Sequence, residues 1–391
     1  MEKQSNTEIK RFKTSKQIKR IDESSLEIVK SEFAELDKKI RGFVMGEISV
    51  VSGLNGSGKS NLMLLEMLNF ALQGYKTLLF SGEMQDFIVK NTIMRMVAGK
   101  NNLKPSVDEI YYYIEDEELK AKIDNWLNDK FCLYNNECSM KAKDLIVAIK
   151  DIVKNGVKIV ILDNLMTIDL KDYDKDKYEA QSMFIKELAS LAKKLNIHIF
   201  VVMHPRKSMG FLRKEDISGT ADLSNAVDNV FIIHRNGIDF RIRSQEIIDK
   251  KMGDPEAQTG IYQYDNIIEV CKNRLYGVRD CYIGLYYEKE TKKFVNEKGE
   301  HCGLLFDKDD SLPFWKEKNM ISVEYSKSQK CLHVDDLQKV LKINREKFLL
   351  NKDNDWEIIA VFETMEEADE FSKKIWENVI IPRYYEKSEV S

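Results

Sequence analysis

Gly53-Leu54-Asn55-Gly56-Ser57-Gly58-Lys59-Ser60 matches G-x-x-x-x-G-K-[ST] at every fixed position. An apolar, β-rich stretch, Ile48–Ser52, precedes it, and a helical pattern over Lys59–Leu72 follows it. That strand–loop–helix context is what a phosphate cradle requires. The glycines let backbone N–H groups wrap around phosphate oxygens, and the helix N-terminus adds its positive end. Lys59 supplies a mobile point charge to the β- and γ-phosphates, and Ser60 a hydroxyl for Mg²⁺. Gly53, Leu54, Asn55, Gly56, Ser57, Gly58, Lys59, Ser60 and Asn61 are therefore the candidate residues for holding ATP or another nucleoside triphosphate.

Outward from this loop, short apolar runs alternate with longer helical patterns. Thr77–Ser81, Val157–Leu162, Ile197–Met203, Val230–His234 and Ile267–Cys271 read as strands, and Tyr178–Leu195 as an amphipathic helix. Such βαβα alternation predicts an α/β fold whose sheet is mainly parallel and covered by helices. Ligands of these sheets bind at the carboxyl ends of the strands, which singles out three residues. Asp163 follows Ile159-Val160-Ile161-Leu162 and is placed to hold Mg²⁺ together with Ser60. Glu83, in Ser81-Gly82-Glu83-Met84, either orients and deprotonates the attacking water or serves as a helix cap. His204, closing Val201-Val202-Met203-His204, reads equally as a γ-phosphate sensor or as a structural histidine.

The flanks differ from this core. Ser24-Ser25-Leu26-Glu27 offers a cap and an acidic first turn, so a helix is expected over Leu26–Phe33. Past residue 300, Trp356–Phe362 alternates like a strand and Thr364-Met365-Glu366-Glu367 opens a helix running to about Trp376. The expected division is an arm and linker helix over 1–35, an ATPase domain over 36–298 and a small α+β appendage over 299–391.

Composition excludes several classes. With 43% hydrophobic and 10% aromatic residues among 391, the chain is globular, and 18 Gly with 5 Pro argue against long flexible linkers. No apolar run reaches the roughly 18–20 residues that span a bilayer, and polar Met1–Ile9 is no secretory signal, so no membrane association is expected. The six cysteines form no C-x-x-C pair, which fits free thiols in a reducing cytoplasm. Net charge is −4, and 14 basic against 19 acidic side chains between His301 and Ser391 make the appendage a poor nucleic-acid surface. Any nucleic-acid contact must then come from a local basic stripe.

Taken in order, the motifs resemble the DnaB-like replicative helicases of superfamily four, especially the branch of phage primase-helicases and mitochondrial Twinkle. The resemblance spans about residues 30–297. It rests on Glu35-Leu36-Asp37, the phosphate loop, Ser81-Gly82-Glu83-Met84, Leu162-Asp163-Asn164, His204-Pro205-Arg206-Lys207, Ile217-Ser218-Gly219, Ala226-Val227-Asp228-Asn229 and Lys272-Asn273-Arg274. It implies a RecA-like P-loop NTPase fold and a homo-oligomeric, commonly hexameric, ring with nucleotide between subunits. It also implies Glu83 as catalytic acid–base, Asp163 as the Mg²⁺ carboxylate and His204 as sensor. Lys272 and Arg274 would reach the neighbouring subunit's nucleotide, where a trans arginine is worth about 10³–10⁵ in rate. Read alone, Lys272-Asn273-Arg274 is only a basic strand end.

By the same resemblance, DNA contacts come from channel loops, and Pro205–Gly219 is the matching stretch. Arg206, Lys207, Arg213 and Lys214 are basic, Gly210 gives the loop freedom, and Phe211 can stack on a base or wedge between bases. The implied activity is ATP-driven translocation on single-stranded DNA, 5′→3′ in this family, with unwinding of forked duplexes. Two competitors remain: a RecA/RadA-like ATPase that binds DNA without unwinding, and a nucleotide-gated scaffold or loader. The 35 residues ahead of the ATPase lack cysteine, so any primase, like the DNA polymerase, is expected to be a separate partner. The expected setting is the cytoplasm of a bacterial or phage-infected cell. A charged, Tyr-containing insertion between Asn236 and Asp265 departs from the family pattern.

Overall fold

The computed structural model describes residues 13–18, 20–205, 212–217, 225–237, 240–241, 263–295, 321–326, 328–336, 340, 356–362 and 365–385. The chain divides into two compact units, Met1–Leu304 and Leu305–Ser391. Ahead of the phosphate loop lie β1 (Ile28–Val29), α1 (Ala34–Ile40), β2 (Phe43–Val44) and β3 (Ile48–Gly53). After it come α2 (Lys59–Leu72), β4 (Lys76–Ser81), α3 (Asp86–Ala98), β5 (Lys104–Pro105), β6 (Tyr112–Tyr113) and α4 (Glu117–Leu127). Next are β7 (Phe131–Leu133), α5 (Ala142–Val153), β8 (Val157–Asp163), α6 (Lys177–Leu195) and β9 (His198–Met203). β10 (Asn229–Arg235), β11 (Asn266–Asn273), β12 (Cys281–Glu288) and β13 (Lys293–Val295) complete the first unit.

Nine of these strands form one sheet in the order β13-β12-β11-β10-β3-β9-β8-β4-β7. From β10 to β7 all pairings are parallel, and β10 to β13 are joined antiparallel. The expected mainly parallel α/β sheet is therefore present, and α2 occupies the expected residues. Side chains alternate across the sheet. Ile48, Val50, Ile199, Val201 and Leu162 meet Leu145, Ile149, Phe184 and Leu188 of α5 and α6 in one core. On the opposite face Phe43, Phe70 of α2 and Phe200 stack within 4.8–5.9 Å of each other. Burying both faces explains why the central strands read as unbroken apolar runs.

The helix expected over Leu26–Phe33 is not there. Asp22 instead accepts the Ser24 N–H and caps a 3-10 turn at Glu23–Ser25. Ile28 and Val29 then pair antiparallel with Val44 and Phe43, and Val29 is fully buried. β-branched neighbours gain more from that pairing and burial than from helical turns. The helix begins only at Ala34.

The second unit is a three-stranded antiparallel sheet ordered β15-β14-β16, with β14 (Ile321–Ser326), β15 (Cys331–Asp336) and β16 (Trp356–Phe362). Helix α7 (Met365–Ile375) packs Ala368 and Phe371 against Val323, Val334, Ala360 and Phe362. Cys132, Cys138, Cys271, Cys281 and Cys331 are free thiols. Among the described residues no helix is long and apolar enough to cross a membrane.

One buried histidine gives the core a pH signature. His198 donates from Nδ1 to the Val44 carbonyl at 2.7 Å and accepts the Ser49 hydroxyl at Nε2 at 2.8 Å, so it is neutral. Burial pushes it down to about 4, below the ordinary 6.5. Unfolded chains take up this proton first, so stability is lost as pH falls from about 6.5 towards 4. Urea unfolding should show about 2 kcal/mol less stability at pH 5 than at pH 7.5 from this residue alone. In His198→Gln that pH-dependent component should be gone.

Candidate functional site

The phosphate loop is built where β3 ends and α2 begins. Gly58 caps α2 in the left-handed region (φ 88°), and a Cβ there would lie 2.5 Å from Phe294 Cζ. Both backbone and space therefore demand glycine. Lys59 is buried, and its Nζ donates to the Gly53 and Leu54 carbonyls at 2.8 and 3.0 Å. Burial lowers its pKa, with Asp163 and Glu83 partly offsetting that loss. Ser57 Oγ is a buried polar atom without a hydrogen-bond partner, inside a loop of backbone donors at a helix N-terminus. Those features fit an oxygen-rich anion. Asn266 of β11 donates from Nδ2 to the Ser57 carbonyl at 2.9 Å and so braces the loop from the antiparallel side of the sheet.

β4 and β8 are in register at Ser81 and Asp163, which brings their C-terminal ends together beside the loop. The Gly82 N–H donates to the Asp163 carbonyl at 2.8 Å. A Cβ on Gly82 would fall 1.9 Å from Thr167 Oγ1, so only glycine lets the chain bring Glu83 this close. Burial raises the Asp163 pKa. A hydrogen bond from the Ser60 hydroxyl opposes this, and the charge of Glu83 adds to it. Ser60 and Asp163 thus present two adjacent hard oxygen donors, the kind Mg²⁺ takes while keeping phosphate and water as its other ligands. Glu83 and His204 meet at Asn164, whose Nδ2 lies 2.6 Å from Glu83 Oε1 and 2.8 Å from His204 Nε2.

These residues line one cleft of about 720 Å³, together with Arg235, Asn236, Asp265, Asn266, Tyr287 and Phe294. A volume of this order suits a nucleotide. The last six were missed by sequence reasoning, as was Asn164 as a site residue. Tyr287 is fixed by hydrogen bonds from Asn61 (3.3 Å) to its hydroxyl and from its own N–H to Asp265 (2.8 Å). Its ring lies 5.4 Å from Phe294. Nothing local marks these residues; they arrive through the antiparallel pairing of β10 to β13.

Lys272 and Arg274 stand elsewhere. In register, Asn273 is opposite Asn229, which is level with Ser49 at the start of β3. Gly53 lies four residues on, roughly 13 Å away at strand spacing, so both cations are at the far end of the sheet from their own phosphate loop. Arg274 Nη1 pairs with Asp228 Oδ1 at 2.7 Å, and Lys272 Nζ donates to the Val227 carbonyl at 2.7 Å. Burial first, then Arg274, brings Lys272 down to about 8, and Lys214 acts in the same direction. Of the candidate DNA-contact residues, Arg213 and Lys214 are placed at a short 3-10 turn, Lys214–Asp216. Arg206, Lys207 and Phe211 lie outside the described residues, as does most of the 236–265 insertion. A bridge between Pro205 and Ile217 brings the two ends of that loop together beside His204.

With this geometry in hand, comparison with known proteins decides the family. The model of the DnaB-like helicase C terminal domain matches residues 29–296. The chain belongs to this DnaB-like helicase family. It is similar to the Twinkle homolog protein, chloroplastic/mitochondrial, of Arabidopsis thaliana: 26% identical over 214 residues, 49% of this chain and 28% of that protein. The chain therefore spans little more than a quarter of that relative's length. Among solved structures it resembles a helicase ATPase domain, at TM-score 0.52 and 14% identity over 69% of this chain and 92% of that one. A DnaB-like replicative helicase, solved in a study of its interactions with primase, also gives TM-score 0.52, at 15% identity over 69% of this chain and 62% of that one. These likenesses establish the RecA-like fold, and the DnaB-like match falls where the motif order placed it.

Two outcomes are expected. Lys59→Ala should abolish nucleotide hydrolysis in a phosphate-release assay. Asn266→Ala, which removes one buried brace, should weaken nucleotide affinity by about 5- to 10-fold in a fluorescent-nucleotide titration.

Proposed function

We propose that this DnaB-like chain is an ATP-driven DNA helicase motor. The observation that carries the reading is the split geometry. Lys59, Asp163, Glu83 and His204 converge on one cleft, while Arg274 and Lys272 stand at the opposite end of the sheet. Cations held that far from their own cleft serve the cleft of a second copy, which is the logic of a ring. In that assembly the loop amides and Lys59 hold the triphosphate, and Glu83 orients the attacking water and takes its proton. His204 contacts the γ-phosphate. Mg²⁺, held by Ser60 and Asp163 with phosphate oxygens, would neutralise charge developing on the β/γ bridge. Arg274, assisted by Lys272, would stabilise the neighbour's transition state.

The DNA path is proposed along the loop between Pro205 and Gly219. Because the loop leaves the sheet right after His204, changes at the γ-phosphate have a short route to the strand. Several such loops firing in turn would step along phosphates, with 5′→3′ polarity by family likeness. Single-stranded DNA, forked duplexes, further copies of the chain and separate primase and polymerase proteins are its proposed partners. A pure scaffold would need no water-activating carboxylate, so the presence of Glu83 at the cleft favours a working ATPase.

Forked-duplex unwinding with each tail in turn, alongside mass measurement with and without nucleotide, tests the whole reading. Absence of both unwinding and nucleotide-dependent assembly would sink it. Arg274→Ala should leave nucleotide binding intact and lower turnover at least roughly 10³-fold; normal turnover would remove the trans assignment. Arg206→Ala with Lys207→Ala should make the salt dependence of single-strand binding shallower by about 1.4 in log–log slope.

A further inference from the structure

We propose that Asn164 is a positioning residue that ties the general base to the phosphate sensor. The inference rests on Glu83 acting as the base. Asn164 is almost fully buried at the end of β8, and its orientation is settled by its own neighbours. Its Oδ1 accepts the Met166 N–H at 2.8 Å, so its amide hydrogens must face the other way. There Nδ2 finds Glu83 Oε1 at 2.6 Å and His204 Nε2 at 2.8 Å. An amide carries two N–H bonds, one for each acceptor. His204 then accepts at Nε2 and holds its proton on Nδ1. The 3.2 Å approach of His204 Nε2 to Glu83 Oε1 is consequently a contact between two acceptors served by one donor group. Glu83 Oε2 has no hydrogen bond among the described residues and is the oxygen left for water.

Three consequences follow from this sharing. The carboxylate is aligned by a neutral donor that keeps it ionised and oriented. A displacement of His204 drags or releases the amide, and with it Glu83. His204 also adjoins Pro205, whose bridge to Ile217 closes the base of the proposed DNA loop. Asn164 is thereby the link through which strand binding sets the efficiency of hydrolysis.

The test is steady-state ATP hydrolysis with and without oligothymidylate, for Asn164→Leu and Asn164→Asp. The second variant keeps the size of the side chain and replaces the donor with an acceptor, so it carries the test if the first does not fold. Both should lower kcat by roughly 10- to 100-fold. KM and the affinity for a methylanthraniloyl-ADP probe should be unchanged, and the residual activity should no longer respond to DNA. Asn164→Asp combined with Glu83→Gln should be no worse than Glu83→Gln alone, since two residues acting through one group are non-additive. Wild-type kcat and DNA response in folded Asn164→Asp, or a raised KM with kcat unchanged, would overturn the proposal. If Glu83→Gln itself turns over normally, the base assignment fails instead, and the two failures are told apart.

Discussion

Everything at the cleft depends on a buried ammonium. Lys59 sits at the first turn of α2, out of water, with its charge opposed by desolvation and supported by Asp163 and Glu83. Removing a cation from water costs several kcal/mol unless opposite charge is close by. The carboxylates at the ends of β8 and β4 partly meet that cost, and a polyphosphate would meet it more fully. Asp163 is in turn held near Ser60, so metal donors, lysine and base form one mutually dependent set rather than separate features. The RecA-like sheet keeps them together by matching Ser81 to Asp163 in register.

The antiparallel half of the sheet has a different task. It contributes no phosphate-loop residue, yet Asn266 braces Ser57, Phe294 covers Gly58, and Tyr287 meets Asn61. It also carries Lys272 and Arg274 to the far end of the sheet, beside Asp228. A single element thus walls the local cleft and holds these two cations away from it. A chain that keeps such a guanidinium outside its own site has a physical reason to assemble. The ring proposed for this DnaB-like protein follows from that separation rather than from any one surface patch.

The clustering at Asn164 adds a finer constraint. Three side chains from three strand ends share one amide, so none can rotate without the others. Packing of this kind is how a small change at a phosphate becomes a discrete change elsewhere, because tightly packed groups shift between arrangements instead of deforming smoothly.

Residues close in sequence were the legible part. The eight residues from Gly53 to Ser60, the apolar runs of β3, β8 and β9 and the full extent of α2 were readable because their requirements are local: positive φ, helix start, unbroken burial. The carboxylates Glu83 and Asp163 were readable because strand ends in a parallel sheet share one edge. The N-terminal segment was misread as a helix, since the pairing of Ile28 and Val29 with Val44 and Phe43 spans sixteen residues and outweighs a local cap. Asn164's three-way contact, the Asn266 brace, the Tyr287–Phe294 wall and the separation of Arg274 from Lys59 were decided by tertiary structure alone. Each depends on which strand lies beside which and in what register, and pairing between distant segments leaves no periodicity in the chain for a reader to find.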